Sequence, residues 1–398
     1  MFASLAPSPA DPILQLAADF RADPRPGKID LGVGVYRDDS GETAIPKAVK
    51  LAEARLLAAQ GTKTYLGLLG DVAFSTAVAG VALGGAAPAE RLAMIQTAGG
   101  SGALWMLMSL AALARPGAVI WLSTPTWPNH RAVAEAAGQK PRDYAYLDPA
   151  TRVVDFARMK ADLSAAGPGD IVLLHGCCHN PTGANLTLAE WEELTALALA
   201  RGFTPLVDIA YQGFGDGLEE DAAGLRHMAA RVPELLIAVS CSKNFGLYRD
   251  RVGAAIALAE TPAAARVIEA NLKTLMRVSI SMPPDHGAAV TRMILTDPEL
   301  RRIWETELSA MRARMLSLRV ALAEALRART NSDRFDFLAA HRGMFSLIGA
   351  SPAQVEALRE THGVYVIGDS RMNVAGLNER RIDEVAAAFV AVGIGKDG

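Results

Sequence analysis

Lys243 stands in Ser240-Cys241-Ser242-Lys243-Asn244-Phe245-Gly246, just after the apolar run Leu235–Val239, and Arg251 follows closely. A lysine amine presented at a strand end can condense with the aldehyde of a cofactor. The hydroxyls of Ser240 and Ser242, with the Arg251 guanidinium, can hold a phosphate. That combination is what a pyridoxal phosphate (PLP) site needs. A lysine taken alone is far more often a solvated surface charge, so the neighbours carry the reading.

Other residues could complete such a site, each with a plainer alternative. Gly99-Gly100-Ser101-Gly102 opens a helical pattern shortly after Leu92–Ile95. Backbone N–H groups at a helix start can face an anion, with Ser101 adding a hydroxyl; a tight turn with no ligand is the alternative. No Gly-Lys-Ser/Thr follows, so it is not a Walker loop, and Gly32-x-Gly34 is no dinucleotide fingerprint because Arg37 holds the third glycine position. Asp208 follows the run Pro205–Val207, on the side where open α/β sheets bind ligands. It can pair with a protonated pyridine nitrogen, or cap a turn. Tyr211 and Asn180 can each bond a phenolic oxygen, although Asn180-Pro181 is also a common turn start. Trp127 can stack on a planar ring or fill a core or an interface. Arg371 offers a planar fork for a carboxylate. Arg277 is a second candidate, set against an ordinary charged face with Lys273. Cys177-Cys178-His179 invites a metal reading, but adjacent residues of an extended chain point to opposite faces and no second cluster stands at finger-like spacing. No metal site is expected.

The elements that must position these residues alternate in type. Val119–Leu122, Ile171–Leu174, Pro205–Val207, Leu236–Val239 and Ala254–Leu258 read as strands, with helical patterns over Ser101–Ala114, Leu188–Arg201 and Ala222–Arg231. That alternation predicts a mostly parallel α/β sheet covered by helices. Pro298–Arg329 reads as one long amphipathic helix. Short strands around Met344–Ile348 and Val364–Ile367 and a last helix from Glu379 suggest a smaller α+β domain, which an early strand over Asp30–Val35 could join. Residues 1–30, with Pro7, Pro9, Pro12, Pro24 and Pro26, suit an extended arm.

The chain has 398 residues, 51% hydrophobic and 21% charged, enough for a large core and more than one domain. A net charge of −3 with scattered basic residues gives no nucleic-acid face. The apolar stretch Ala103–Ala114 is too short to span a bilayer. No signal peptide is expected, since no basic segment precedes an apolar one at the start. Three cysteines make no disulfide framework, and a reducing cytoplasm is the simpler expectation.

Taken together, these residues resemble the class I aminotransferases, the aspartate/aromatic branch of the fold-type I PLP enzymes. The resemblance covers nearly the whole chain. It rests on Gly32-Val33-Gly34-Val35-Tyr36-Arg37, Thr64-Tyr65-Leu66-Gly67, Trp127-Pro128-Asn129-His130, His175 through Gly183, Asp208 through Phe214, and Ser242 through Tyr248. It is strongest toward bacterial aromatic-amino-acid (tyrosine) aminotransferases, which often also accept aspartate.

The resemblance implies an N-terminal arm and part of the small domain over residues 1–40, a large PLP-binding domain over 41–300 and a small C-terminal domain over 301–398. It implies that Lys243 anchors PLP and shuttles a proton, that Asp208 pairs with the pyridine nitrogen, and that Tyr211 and Asn180 bind the phenolic oxygen under a Trp127 stack. Gly100, Ser101, Ser240, Ser242 and Arg251 would hold the phosphate, joined by Tyr65 of the partner subunit. Arg371 would take the substrate α-carboxylate, with Asn180 and Trp127 assisting, and Gly34 would line the pocket. His130 would support Asp208, with His175 behind. Arg277 of the partner subunit would face a distal carboxylate, making the homodimer the catalytic unit. The reaction implied is ping-pong transfer of the amino group of Tyr, Phe, Trp or Asp to 2-oxoglutarate.

One departure bears on specificity. The aspartate enzymes carry Asn before the Pro-Pro pair, and this chain has Met282 before Pro283-Pro284. An apolar, adaptable side chain suits an aromatic substrate, whereas Arg37 and Thr43 look like the aspartate enzymes. Narrow dicarboxylate specificity is therefore the alternative. PLP-dependent elimination or decarboxylation is disfavoured by Arg277, Arg371 and the Tyr65 string. A PLP-sensing regulator is disfavoured by the lack of room for a basic DNA-binding module.

Overall fold

The computed structural model describes residues 2–6 and 11–395. It divides into two compact units, one of residues 44–314 and 341–343, the other of residues 1–43, 315–340 and 344–398.

The larger unit is built on a seven-stranded sheet. Its order is Leu92–Ala98, Val252–Leu258, Leu235–Ser240, Thr204–Ile209, Ile171–His175, Val119–Thr124 and Lys140–Ala145. Val252–Leu258 is antiparallel to both neighbours, and the other pairings are parallel. The two inner strands Leu235–Ser240 and Val252–Leu258 are buried along their whole length. Continuous apolar runs are what strands covered on both faces require. Lys140–Ala145 escapes the sequence patterns because its residues are charged and include a proline. Those residues belong on an edge, where they discourage further pairing.

Helices cover this sheet. Gly99–Ala114 buries Leu104, Met106, Leu107, Met108 and Leu110, each worth about 1.5–3 kcal/mol when removed from water. It starts at Gly99 rather than Ser101, so the glycines form its first turn. Leu188–Arg201 is closed by a Thr187–Glu190 capping box and a left-handed Gly202. The pattern over Ala222–Arg231 resolves into a short 3₁₀ turn, Glu220–Ala222, and a helix, Ala223–Ala229. Pro298–Thr330 is the long helix expected.

In the smaller unit, Leu31, Leu326, Val364, Met372 and Phe389 share one core. The early strand is only Ile29–Asp30, paired in parallel with Val364–Tyr365. It ends there because the Asp30 carboxylate accepts the N–H groups of Gly32 and Val33 and pairs with Arg37 at 2.5 Å, turning the chain back on itself. A second pair joins Phe345–Leu347 to Arg371–Asn373. The final helix begins at Ile382, after a 3₁₀ turn over Glu379–Arg381.

The N-terminal segment departs from the extended arm. Pro12–Ala22 is a helix. Pro12 sits at its first position, where no N–H is needed, and Asp11 accepts the N–H groups of Ile13 and Leu14. Leu16 is buried with Tyr365 and Ile367. Pro7 and Pro9 lie outside the described residues.

Candidate active site

Lys243 lies in a tight turn after the strand Leu235–Ser240, with Gly246 N–H donating to its carbonyl at 3.0 Å. Three contacts fix that turn. The Phe245 ring stacks on Trp304 at 4.5 Å and 5°. Trp304 Nε1–H donates to the Asn244 carbonyl at 2.7 Å. The Asn244 amide donates to the Gln212 carbonyl at 3.2 Å. Gly246 adopts φ +66°, and a Cβ there would lie 2.9 Å from Pro46. The lysine is thus carried on a clamped backbone, with Nζ 4.9 Å from the centre of the Tyr211 ring. Trp304 and Gln212 brace the turn that carries Lys243, and the sequence did not single them out. Trp304 looked like one more apolar residue of an amphipathic helix.

Beside the lysine is a cradle for an anion. The first turn of Gly99–Ala114 holds Gly100 and Ser101. Ser240 Oγ accepts the Ser242 N–H at 3.3 Å, and Arg251 donates to Ser242 Oγ at 3.4 Å. Gly99 has φ +73°, and a Cβ on it would meet the Arg251 guanidinium at 2.6 Å. A Cβ on Gly100 would meet Ser240 at 2.9 Å. Two hydroxyls, a guanidinium and a helix N-terminus therefore converge where side chains are excluded, a fit to a phosphate.

Asp208 is inside the strand Thr204–Ile209 rather than after it, paired in register with His175. His130 Nε2 is 3.0 Å from Asp208 Oδ2. The Thr126 hydroxyl lies 2.8 Å from His130 Nδ1 and 3.0 Å from His175 Nε2. Burial pushes the Asp208 carboxyl up. The His130 hydrogen bond, the imidazoles of His130 and His175 and the Lys243 ammonium outweigh it, so its pKa falls below the ordinary value. Burial, with His130 nearby, brings His175 down to about 3, keeping it neutral. His175 lies 3.9 Å from His179 with the rings tilted by 34°, and His179 stacks 4.0 Å on Tyr146. An ionised carboxylate backed by the neutral His175 imidazole is suited to hold a proton on a pyridine nitrogen.

Tyr211 and Asn180 are both buried, with the Asn180 amide 3.5 Å from the Tyr211 hydroxyl. Trp127 caps the helix Pro128–Ala136 and meets His130 edge-on at 5.3 Å. Lys243, Asp208, Tyr211, Asn180, Trp127, Gly100, Ser101, Ser240, Ser242 and Arg251 all belong to the larger unit. Tyr65 is 90% exposed. Arg277 is exposed in the last turn of Pro262–Ser279. Met282 Sδ accepts the Leu66 N–H at 3.1 Å, tying the segment after Arg277 to the residue after Tyr65. Arg371 and Gly34 belong to the smaller unit. There the buried Arg371 guanidinium lies 4.5 Å over the Phe345 ring, and a Cβ on Gly34 would lie 3.0 Å from the same ring.

A turn-borne lysine, an ionised aspartate and a phosphate cradle on an α/β sheet define a PLP-binding fold. Residues 26–389 match the aminotransferase class I and II family. The chain belongs to that family and is a PLP-dependent aminotransferase. It is 51% identical over 394 residues to an aromatic-amino-acid aminotransferase of Paracoccus denitrificans, covering 99% of this chain and 100% of that one. It is 44% identical to an aspartate aminotransferase of Salmonella typhi, covering 98% and 100%. It superposes with a TM-score of 0.96 on an aromatic-amino-acid aminotransferase of Burkholderia pseudomallei covalently bound to PLP, at 40% identity, covering 98% of this chain and 99% of that one. Among the described residues no helix is long and apolar enough to cross a membrane.

Proposed function

We propose that this enzyme moves the amino group of Tyr, Phe and Trp, and also of Asp, to 2-oxoglutarate, with ping-pong kinetics. The observation that carries the reading is the larger unit's set of Lys243, Asp208, Tyr211, Asn180 and phosphate-cradle residues. The full-length likeness to the Paracoccus protein supports the aromatic preference.

When bound, PLP supplies an electron sink for the electrons left at the substrate α-carbon. The Asp208 carboxylate holds the proton on the ring nitrogen. Tyr211 and Asn180 donate to the phenolic oxygen, and Trp127 covers the ring face. The Lys243 amine anchors the cofactor, then removes the α-proton as general base. Ser240, Ser242, Arg251, Gly100 and Ser101 fix the phosphate. Arg371 takes the substrate α-carboxylate, Gly34 lines its pocket, and Arg277 of the partner subunit meets a distal carboxylate. Tyr65 of the partner subunit completes the phosphate site, so the homodimer is the working unit. The 90% exposure of Tyr65 in the isolated chain supports a role outside it. Three free cysteines support a reducing, cytoplasmic setting.

Narrow dicarboxylate specificity is the second reading, favoured by Arg37 and Thr43. Steady-state comparison of Tyr, Phe, Trp and Asp against 2-oxoglutarate decides it. Comparable turnover of aromatic substrates and Asp is expected. Turnover of Asp alone establishes the narrow reading, and no turnover of any removes both. Mixing inactive Lys243→Ala and Arg277→Ala subunits tests sharing, because one site of each hybrid is then intact. Hybrids that regain no aspartate activity would count against it.

A further inference from the structure

Two thiols and a carboxylate converge behind the strand end that carries His175. Cys177, Cys178 and Asp221 are all buried, and their Sγ and carboxylate oxygen atoms lie within 4.8 Å of one another. The sequence argued against this, because adjacent side chains of an extended chain diverge. Cys178, however, has φ +50°, which breaks the alternation. Gly343 leaves it room, since a Cβ there would lie 2.3 Å from Cys178 Cβ. Asp221 is held in place by the N–H groups of Gly213, Gly215 and Asp216, each at 2.8 Å. A cavity of about 110 Å³ reaches the cluster, lined by His175, Gly176, Cys177, Asp216, Glu220 and Asp221 among others. That space holds a few waters.

We propose that Cys177, Cys178 and Asp221 form a site for a thiophilic divalent cation of the zinc or cadmium kind, entered through this cavity, with a water as fourth ligand. Thiolate donors select such ions over magnesium or calcium. Two sulfurs about 2.3 Å from a tetrahedral ion stand about 3.8 Å apart, so atoms within 4.8 Å of one another close by about 1 Å at most. Two metal–sulfur bonds form, two S–H bonds break, and both protons pass to the buffer. Occupation is felt at the active site. Gly176 N–H donates to the Asp208 carbonyl at 2.7 Å, so a pull on Cys177 bears on the strand that carries Asp208.

The test is titration of the PLP-loaded enzyme with cadmium chloride. It follows the thiolate-to-cadmium charge-transfer absorption, proton release in weak buffer, and turnover. The expected result is saturation at one cadmium per chain, about two protons released, and turnover falling in step with the absorption. Cys177→Ala should abolish the signal and the inhibition, and Cys241→Ala should keep both. Cys178→Ala gives an independent check, as does Cys177→Ser, whose hydroxyl is a poor ligand for a soft ion. No saturable binding, or an unchanged signal in Cys177→Ala, overturns the site. Full loading with unchanged turnover overturns its coupling to Asp208.

Discussion

His130 Nε2 stands 3.0 Å from Asp208 Oδ2, and the other nitrogen of the same ring meets the Thr126 hydroxyl at 2.8 Å. One direction of donation satisfies every group in this chain. His130 Nε2–H gives to the ionised Asp208, Thr126 O–H gives to His130 Nδ1, and His175 Nε2–H gives to Thr126 Oγ. The carboxylate is therefore held in both charge and orientation by this chain of hydrogen bonds.

Removing that charge should slow chemistry without emptying the site. Asp208→Asn keeps the size but loses the opposite charge that favours a protonated ring nitrogen. Cofactor should still bind, while kcat falls by several decades. Thr126→Val should be milder. It leaves two ring nitrogens short of a partner, at a cost of about 1–3 kcal/mol, read by urea unfolding. Wild-type kinetics in Asp208→Asn would show that the nitrogen has another partner.

Lys243→Ala should lose the absorption of lysine-bound cofactor and cut turnover by at least the 10²–10⁴-fold typical of general acid–base help. The turn that carries Lys243 should matter in its own right. Trp304→Phe keeps a ring to stack on Phe245 but loses the bond to the Asn244 carbonyl, so about 1 kcal/mol of stability should go. Its kcat should fall while cofactor binding persists. A Lys243→Ala enzyme that transaminates at near wild-type rate would remove the assignment.

Stability should fall in mild acid. Below about pH 6.5 the unfolded chain protonates histidine, whereas buried His175 stays neutral in the folded chain down to about pH 3. The unfolded state then binds the extra proton, so stability declines as pH drops through that window, at up to about 1.4 kcal/mol per pH unit for one such group. Burial lowers His179 in the same direction, which steepens the decline. Asp208, whose pKa is lowered, adds stability above the ordinary carboxylate value that is lost as pH falls through its folded value. Chemical denaturation between pH 7 and pH 5 measures the slope. His175→Asn should flatten it, and a flat wild-type profile would show that these imidazoles protonate freely.

Substrate choice should depend on Arg277 and Met282 separately. Arg277→Ala should depress kcat/KM for aspartate far more than for phenylalanine, because a buried carboxylate left without its charged partner costs about 3–5 kcal/mol. Equal losses would make Arg277 structural. Met282 Sδ is already engaged by the Leu66 N–H. Met282→Asn substitutes a polar tether there and should shift preference toward aspartate. An unchanged Asp/Phe ratio would remove Met282 as a specificity signal.

The sequence by itself determined the chemistry-bearing strings and the elements beneath them. The apolar runs at Leu235 and Ala254 read as strands, which the structure buries along their whole length, and Leu188–Arg201 read as the helix that Thr187 and Glu190 cap. These are local signals, in which neighbouring residues carry the whole message. Tertiary structure decided what depends on residues far apart in sequence. Lys140–Ala145 is a strand only because Val119–Thr124 offers it an edge. Asp11 and Pro12 start the helix Pro12–Ala22 locally, but its packing depends on Leu16 meeting Tyr365 and Ile367. Trp304 supports Lys243 through one bond across 60 residues of chain, and Cys177 meets Cys178 and Asp221 through a left-handed residue that sequence patterns cannot foresee. Packing free energy is summed over contacts distant in the chain, so periodicity within a short window carries no record of it.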